Sequence, residues 1–391
     1  MASKTILMMA GGTGGHIFPA LAIADELQQQ QHKVVWLGTL RGMESRLVPE
    51  KNYPIEYINI SGLRGKGLIR LVSMPYLLIK AIMQTFAVFK RIKPDLTIGM
   101  GGFVTGPGGL VSWLLGKPLV IHEQNAISGL SNNLLALIAK KRLCAFPNAY
   151  KGVIFDKWYK PKNCFVTGNP IREDILALDK VKVAEKNKST LNILVVGGSL
   201  GAEKINQVVP RAIKLLQQST ENNNLYSSYH IKHQCGKGKV EQVKQTIAGS
   251  YFDSNSSIKI EYNIAEFISD MATVYEWADI VICRAGALTI SEIAAVGISS
   301  ILIPYPFAVG DHQTANAKYI TDKQAGYLLA QNDLSAESLK HILNQCDQEK
   351  LADMSNKAKQ LAKPNATIDV VEHCLFLIKD NQQVETSGSI K

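Results

Sequence analysis

Gly11-Gly12-Thr13-Gly14-Gly15-His16 follows the apolar stretch from Ile6 to Ala10. Glycines after a strand let the backbone come close to a ligand, and the N-terminus of a following helix favours anionic groups. The run is not the dinucleotide fingerprint G-x-G-x-x-G, because His16 stands where the third glycine belongs. No Asp or Glu closes the next strand, Val34–Leu37, to hold a ribose, which counts against NAD. No Gly-Lys-Ser/Thr follows either, so a Walker loop is excluded. Taken alone, the run also reads as a plain turn.

Three further clusters carry polar or glycine-rich chemistry just past a strand-like run. Gly99 to Gly109 holds seven glycines or prolines in eleven positions, costly in a packed element, and reads as an anion or sugar cradle. His122-Glu123-Gln124-Asn125 closes the run Leu119–Ile121, where open α/β sheets bind ligands. His122 alone reads as a structural histidine, whereas Glu123 with Asn125 fits a base or hydroxyl-binding role. In the second half, Cys283-Arg284-Ala285-Gly286 leads into Ala287-Leu288-Thr289-Ile290-Ser291-Glu292. Thr289 and Glu292 share one helical face. They fit a capping box and a phosphate-and-ribose site equally well. Asp311-His312-Gln313 follows a further strand end.

Positioning these clusters takes a particular set of elements. Two segments share one design: an apolar strand (Ile6–Ala10; Ile193–Val196), a glycine turn (Gly11–His16; Gly197–Ala202) and a helix (Pro19–Gln30; Glu203–Gln218). That is how a doubly wound parallel sheet opens. Further strand-like runs are Leu96–Met100, His230–Gln234, Ser257–Tyr262, Ile280–Cys283 and Ser300–Pro304. The chain of 391 residues suits two domains. The reading is α/β, two Rossmann-like domains facing each other across a cleft, with Cys164–Arg172 as linker. The expected boundaries are 1–171 and 172–365, with 180–190 a solvated segment and 381–391 a disordered tail.

Charge is uneven. Residues 1–171 hold 20 Lys and Arg against 8 Asp and Glu, a net of +12, and the remainder nets −2. Such a field favours an anionic partner: nucleic acid, lipid headgroups or a phosphorylated substrate. The six cysteines lack any CxxC spacing and read as free thiols of a reducing compartment. Leu68–Phe89 is long enough to cross a bilayer, but Arg70, Pro75 and Lys80 interrupt it. It reads as a core helix, a surface amphipathic patch, or both. In the patch reading Leu77, Leu78, Ile82, Phe86 and Phe89 enter the interface beside Arg64, Lys66, Arg70, Lys80, Lys90, Arg91 and Lys93.

In order over about 300 residues, Gly11–His16, Gly99–Gly109, His122–Asn125, Gly168-Asn169-Pro170-Ile171-Arg172, Gly197–Ala202 and Arg284–Glu292 with His312-Gln313 resemble the bacterial MurG family. These are N-acetylglucosaminyltransferases of the GT-B group that convert lipid I to lipid II in peptidoglycan synthesis. The resemblance implies that Thr13, Gly14, Gly15 and Asn125 meet the sugar of UDP-N-acetylglucosamine, with Arg172 and Ser199 near the diphosphate. Ile268 packs by the uracil. Ala287, Leu288 and Thr289 meet the phosphates, with Ile290 and Ser291 in the same run. Glu292 takes the ribose hydroxyls and Gln313 the sugar hydroxyls. Leu200 and His312 depart from the family, which often has Gln at both places.

The implied reaction is an inverting displacement that needs a base. His16 is the first choice, because an imidazole's ordinary pKa suits the task, and Glu123 the second. No Asp-x-Asp pair is present, so no metal or other cofactor is expected. The implied partners are UDP-N-acetylglucosamine, lipid I and an anionic membrane surface rather than nucleic acid. The implied place is peripheral, at the cytoplasmic face of the bacterial inner membrane. The family also implies a C-terminal helix, about 366–380, returning to the first domain. Two other readings remain: a diacylglycerol glycosyltransferase, and a non-catalytic nucleotide-binding scaffold at the membrane.

Overall fold

The computed structural model describes residues 3–60, 67–151, 163–178, 188–198, 201–218, 225–250, 252–253 and 256–388, with 67–74, 250, 309 and 379–388 as backbone only. The chain divides into two units, Met1–Arg172 with Pro364–Lys391, and Glu173–Lys363.

In the first unit the elements are β1 (Thr5–Ala10), α1 (Gly14–Gln29), β2 (Lys33–Gly38), α2 (Glu44–Glu50), β3 (Ile55–Tyr57), α3 (Gly67–Ile92), β4 (Leu96–Gly101), α4 (Thr105–Leu114), β5 (Leu119–Glu123), α5 (Leu130–Leu135), β6 (Lys141–Cys144) and β7 (Cys164–Val166). The strands form one parallel sheet in the order β3-β2-β1-β4-β5-β6-β7. Strands buried on both faces read as unbroken apolar runs, and β1 is such a strand. Ile6, Met8 and Ala10 pack with α1 on one face, while Leu7 and Met9 pack with α3 and α4 on the other. The last helix (Ala366–Gly388) joins the α1 side through Val370, Val371, Cys374 and Ile378. It is helical through Gly388, into the stretch read as a disordered tail.

The second unit runs α6 (Glu173–Leu176), β8 (Thr190–Val196), α7 (Glu203–Gln217), β9 (Ser228–Gln234), α8 (Val240–Ser250), β10 (Lys259–Ala265), α9 (Met271–Trp277), β11 (Ile280–Cys283), α10 (Ala287–Val296), β12 (Ser299–Leu302), α11 (His312–Thr321), β13 (Tyr327–Leu328), α12 (Ala336–Leu343) and α13 (Gln348–Gln360), followed by the returning α14 (Ala366–Gly388). Its sheet is again parallel, β10-β9-β8-β11-β12-β13. Leu191, Ile193 and Val195 of β8 share a core with Val209 and Ile213 of α7 and Leu339 of α12. The expected fold class, two Rossmann-like α/β domains, is what the chain adopts.

Several expectations change in detail. Helix α1 begins at Gly14 rather than Pro19, so Gly14, Gly15 and His16 form its first turn. Two glycines there had masked the helical signal. Cys164–Val166 belongs to the sheet edge as β7, not to a linker; three residues are too few to show a period. The solvated segment is described only from Lys188, whose ammonium pairs with the buried Asp279 at 2.8 Å.

The glycine cluster divides in two. Gly106 to Gly109 lie inside α4. A Cβ on Gly108 would stand 2.2 Å from the Met9 sulfur, and one on Gly109 2.7 Å from Leu135. Those glycines serve helix packing; Gly99 and Gly101 belong to β4, and only Gly102 lies in the loop. On α3, Phe89 is core and Ile82 and Phe86 pack against it. The apolar residues that face outward are Tyr76, Leu78, Ile79 and Met83. Tyr76, Ile79 and Met83 are spaced i, i+3, i+7, one stripe of a helix. Arg64 and Lys66 lie outside the described residues. Among the described residues no helix is long and apolar enough to cross a membrane.

Candidate active site

In the first unit the strand order reverses between β1 and β4, the place where doubly wound sheets open a crevice at the strands' C-terminal ends. The loops after β1 and β4 meet there. A Cβ on Gly102 (φ +84°) would fall 2.3 Å from the Gly11 carbonyl oxygen, so only glycine lets the two loops touch. Gly101 (φ +105°) lies beneath the His16 ring, where a Cβ would stand 2.8 Å from it. Thr13 caps α1 without a side-chain bond, and its carbonyl accepts the His16 amide at 3.1 Å.

The loop after β1 is held by a residue that the sequence reading missed. Glu44 is completely buried. Its Oε2 accepts the Gly12 amide at 3.0 Å, and its Oε1 accepts the Thr39 amide and hydroxyl at 2.9 and 2.7 Å. Gly11, Gly38 and Gly42 make room for it, since a Cβ on any of them would strike the Glu44 side chain. A buried carboxylate is tolerable only when donors surround it. The two glycines Gly38 and Gly42, on either side of Thr39-Leu40-Arg41, were the one sequence signal for this cage.

Glu123 is a brace. Its Oε1 accepts the Asn125 amide and Nδ2, at 3.0 and 3.2 Å, and its Oε2 accepts the Gly129 amide and Asn132 Nδ2, at 3.1 and 2.8 Å. With the residue 2% exposed, four donors saturate the carboxylate, which corrects the expectation of Glu123 as a base. Asn125 is thereby tied to the same turn. His122 is buried and shares 2.9 Å with the Gly168 oxygen. Burial pushes its pKa down to about 4, against a smaller upward pull from that bond. Gln124 reaches His16, with Oε1 2.9 Å from Nδ1. Of the two candidate bases, His16 is the residue that is partly exposed. Arg172 ends the first of the two chain segments that make up this unit.

In the second unit the order reverses between β8 and β11, and α10 starts immediately past β11. Gly286 is its N-cap and no side chain caps it. Thr289 therefore lies within the helix, which removes the capping-box alternative. Ala287, Leu288 and Thr289 form the first turn, whose amides and dipole suit an anion. Ile290 does not fit the expectation of a ligand contact: it is fully buried and gives its amide to the Gly286 oxygen at 2.9 Å. The Ser291 hydroxyl donates to Ala287 O.

Glu292 is buried on the inner face of α10, and its Oε2 accepts the hydroxyl of the fully buried Tyr275 at 2.9 Å. That tyrosine was not singled out in the sequence. Gln313, in the first turn of α11, accepts the Tyr305 amide at 2.8 Å and so fixes the loop after β12. Asn316 ties the same helix to Ala285 O, ahead of α10. Ile268 sits half-buried past β10, next to the exposed Phe267. Ser199 and Leu200 lie outside the described residues.

Residues 6–144 match the glycosyltransferase family 28 N-terminal domain, and residues 192–371 match the glycosyltransferase family 28 C-terminal domain. The chain belongs to glycosyltransferase family 28. Within the family it is 43% identical, over 97% of both chains, to a protein of Pseudoalteromonas atlantica named UDP-N-acetylglucosamine--N-acetylmuramyl-(pentapeptide) pyrophosphoryl-undecaprenol N-acetylglucosamine transferase. A protein of the same name from Shewanella frigidimarina is 46% identical, over 95% of this chain and 96% of that one. The crystal structure of Acinetobacter baumannii MurG aligns with TM-score 0.76 and 38% identity, covering 95% of this chain and 99% of that one. A UDP-N-acetylglucosamine 2-epimerase at 15% identity and TM-score 0.64 shares the fold alone.

Proposed function

We propose that this family 28 enzyme transfers N-acetylglucosamine from UDP-N-acetylglucosamine to the C4 hydroxyl of the N-acetylmuramoyl residue of lipid I, giving lipid II. The observation that carries the reading is similarity at 43–46% identity, over nearly the full length, to relatives named for that transfer. The acceptor oxygen attacks the anomeric carbon from the face opposite the leaving UDP, so an α-linked donor gives a β-linked product. The acceptor's proton passes to the His16 ring, the bond to the diphosphate breaks, and UDP leaves with the electron pair. The N-terminus of α10 and Arg172 offset the charge gained by UDP. Glu292 holds the ribose hydroxyls, and the amides of Gly14 and Gly15 and the side chain of Asn125 meet the sugar.

The lipid acceptor calls for a surface that can lie against a bilayer. Tyr76, Ile79 and Met83 of α3, Trp113 and Leu114 of α4, and Leu130 and Leu134 of α5 are exposed apolar side chains on packed neighbouring helices. Lys80, Lys90 and Lys140 are exposed in the same helices or next to them. Apolar side chains rimmed by lysines suit peripheral binding to anionic lipid. This supports peripheral attachment to a membrane surface, which the proposed reading places at the cytoplasmic face of the inner membrane.

The test supplies UDP-N-acetylglucosamine with a lipid I analogue or with diacylglycerol and identifies the product's linkage by NMR. A β-linked disaccharide on the lipid I analogue alone is expected. Transfer only to diacylglycerol, or an α-linked product, would overturn the reading. His16→Ala should lower kcat by about 10²–10⁴ with donor KM held, and an unchanged kcat would remove His16 as the base.

A further inference from the structure

His16, Gln124, His122 and Gly168 form one hydrogen-bonded line in the first unit. Its fixed end is the Gly168 carbonyl, an oxygen that can only accept. His122 Nε2 lies 2.9 Å from that oxygen, so Nε2 carries the proton of the ring. Burial at the end of β5 keeps this imidazole neutral, which leaves Nδ1 as a lone pair. Gln124 Nε2 stands 3.1 Å from that Nδ1 and 3.2 Å from the His122 carbonyl oxygen. Two acceptors at one end of the amide define that end as the NH₂ group. The other end, Oε1, lies 2.9 Å from His16 Nδ1, so Nδ1 of His16 is the donor.

We infer that Gln124 is a positioning residue that holds His16 in the Nδ1–H tautomer and turns its Nε2 lone pair into the base. The inference rests on the reading of His16 as base. A free neutral imidazole favours the opposite tautomer, and the partner of one ring nitrogen decides the state of the other. The choice of an amide has a chemical consequence. A carboxylate at this place would favour the protonated imidazolium, whereas an amide fixes the tautomer and adds no charge. Asn169 Nδ2 holds the Gln124 backbone carbonyl at 3.1 Å, so Gly168-Asn169 supports the line at both His122 and Gln124. The polar run His122–Asn125 thus divides its work: Glu123 and Asn125 brace the turn, and His122 and Gln124 set the tautomer of His16.

Long-range 1H–15N spectra of the full chain, with its eight histidines labelled, test this at a pH where the imidazoles are neutral. Signals lost in His16→Ala and His122→Phe identify the two rings. The expected result is Nδ1–H for His16 and Nε2–H for His122. In Gln124→Met, His16 should revert to Nε2–H and kcat fall by about tenfold to a hundredfold, with donor KM unchanged. Gln124→Glu, which restores an acceptor for Nδ1–H but adds a charge, should keep Nδ1 protonated and raise the pH at which Nε2 becomes a free lone pair. Wild-type His16 in the Nε2–H form overturns the inference whatever the kinetics, and this measurement needs no Gln124 variant to fold. A tautomer change in Gln124→Met with kcat intact instead removes His16 as the base, and the positioning role with it.

Discussion

The loops after the two central strands, Gly11–His16 behind β1 and Gly197–Ala202 behind β8, start alike and are held by different means. The second is fastened by backbone: Gly197 donates to Gln234 O and Gly201 to Gly198 O, both at 3.0 Å. A Cβ on Gly201 would lie 2.1 Å from Cys235 O. Among its described residues it carries no titratable side chain. The first is fastened by the buried carboxylate of Glu44 and by contact with a second glycine loop, and it delivers His16. On the proposed function, one opening serves two purposes, amides for an anion in one unit and a positioned imidazole in the other. The neighbours decide which: the carbonyls at the end of β9 beside β8, and a glycine-lined carboxylate with Gln124 near β1.

Removing Glu44 is the strongest way to break that contrast. Glu44→Ala strands three donors, each worth about 1–3 kcal/mol when buried without a partner. Urea unfolding should show a loss of about 3 kcal/mol or more, and turnover should fall as Gly12 and His16 loosen. Stability left within about 0.5 kcal/mol of wild type would mean that the loop holds itself.

Acid comes next, because each unit buries a histidine that burial holds neutral, His122 in the first and His233 in the second. His122 falls from its ordinary 6.5 to about 4 and His233 to about 3, both through burial. The unfolded chain takes up these protons first as the pH drops. The stability the two contribute is therefore complete above about pH 6.5 and is lost towards about pH 4 and pH 3. At about pH 5 each should cost about 2 kcal/mol relative to neutrality, readable as a lower urea midpoint. Half that total would show that only one of the units depends on a neutral histidine.

The smallest effect belongs to the second unit. Tyr275→Phe takes one donor from Glu292, about 1 kcal/mol. UDP affinity measured by calorimetry should weaken about fivefold with kcat preserved. Unaltered affinity would take Glu292 out of the donor site.

What the sequence made legible follows from length and distance. Ile6–Ala10 and Ile193–Val196 are apolar runs with glycines behind them, and both central strands and both loops could be read from that alone. The edge strands β3, β7 and β13 have three, three and two residues, too few for any period to show. Gly108 and Gly109 looked like loop because the reason for them, Met9 and Leu135 pressing on α4, lies in other elements. Glu44 was not singled out, since its partner Gly12 is 32 positions away. Glu123 was read as chemistry because its four donors cannot be seen in a line of letters. His16 was found by type and position, but its aim depends on Gly168, far along the chain.

The return of α14 to the first unit has a consequence for synthesis. Residues 173–363 are one continuous stretch and can complete their core as soon as they leave the ribosome. The first unit, although it emerges earlier, lacks the helix that covers α1 until Val370, Val371, Cys374 and Ile378 arrive. Its apolar face stays uncovered while the whole guest segment is made, the interval in which a chaperone or the membrane surface would meet it. The unit that begins the chain is therefore the last to be finished.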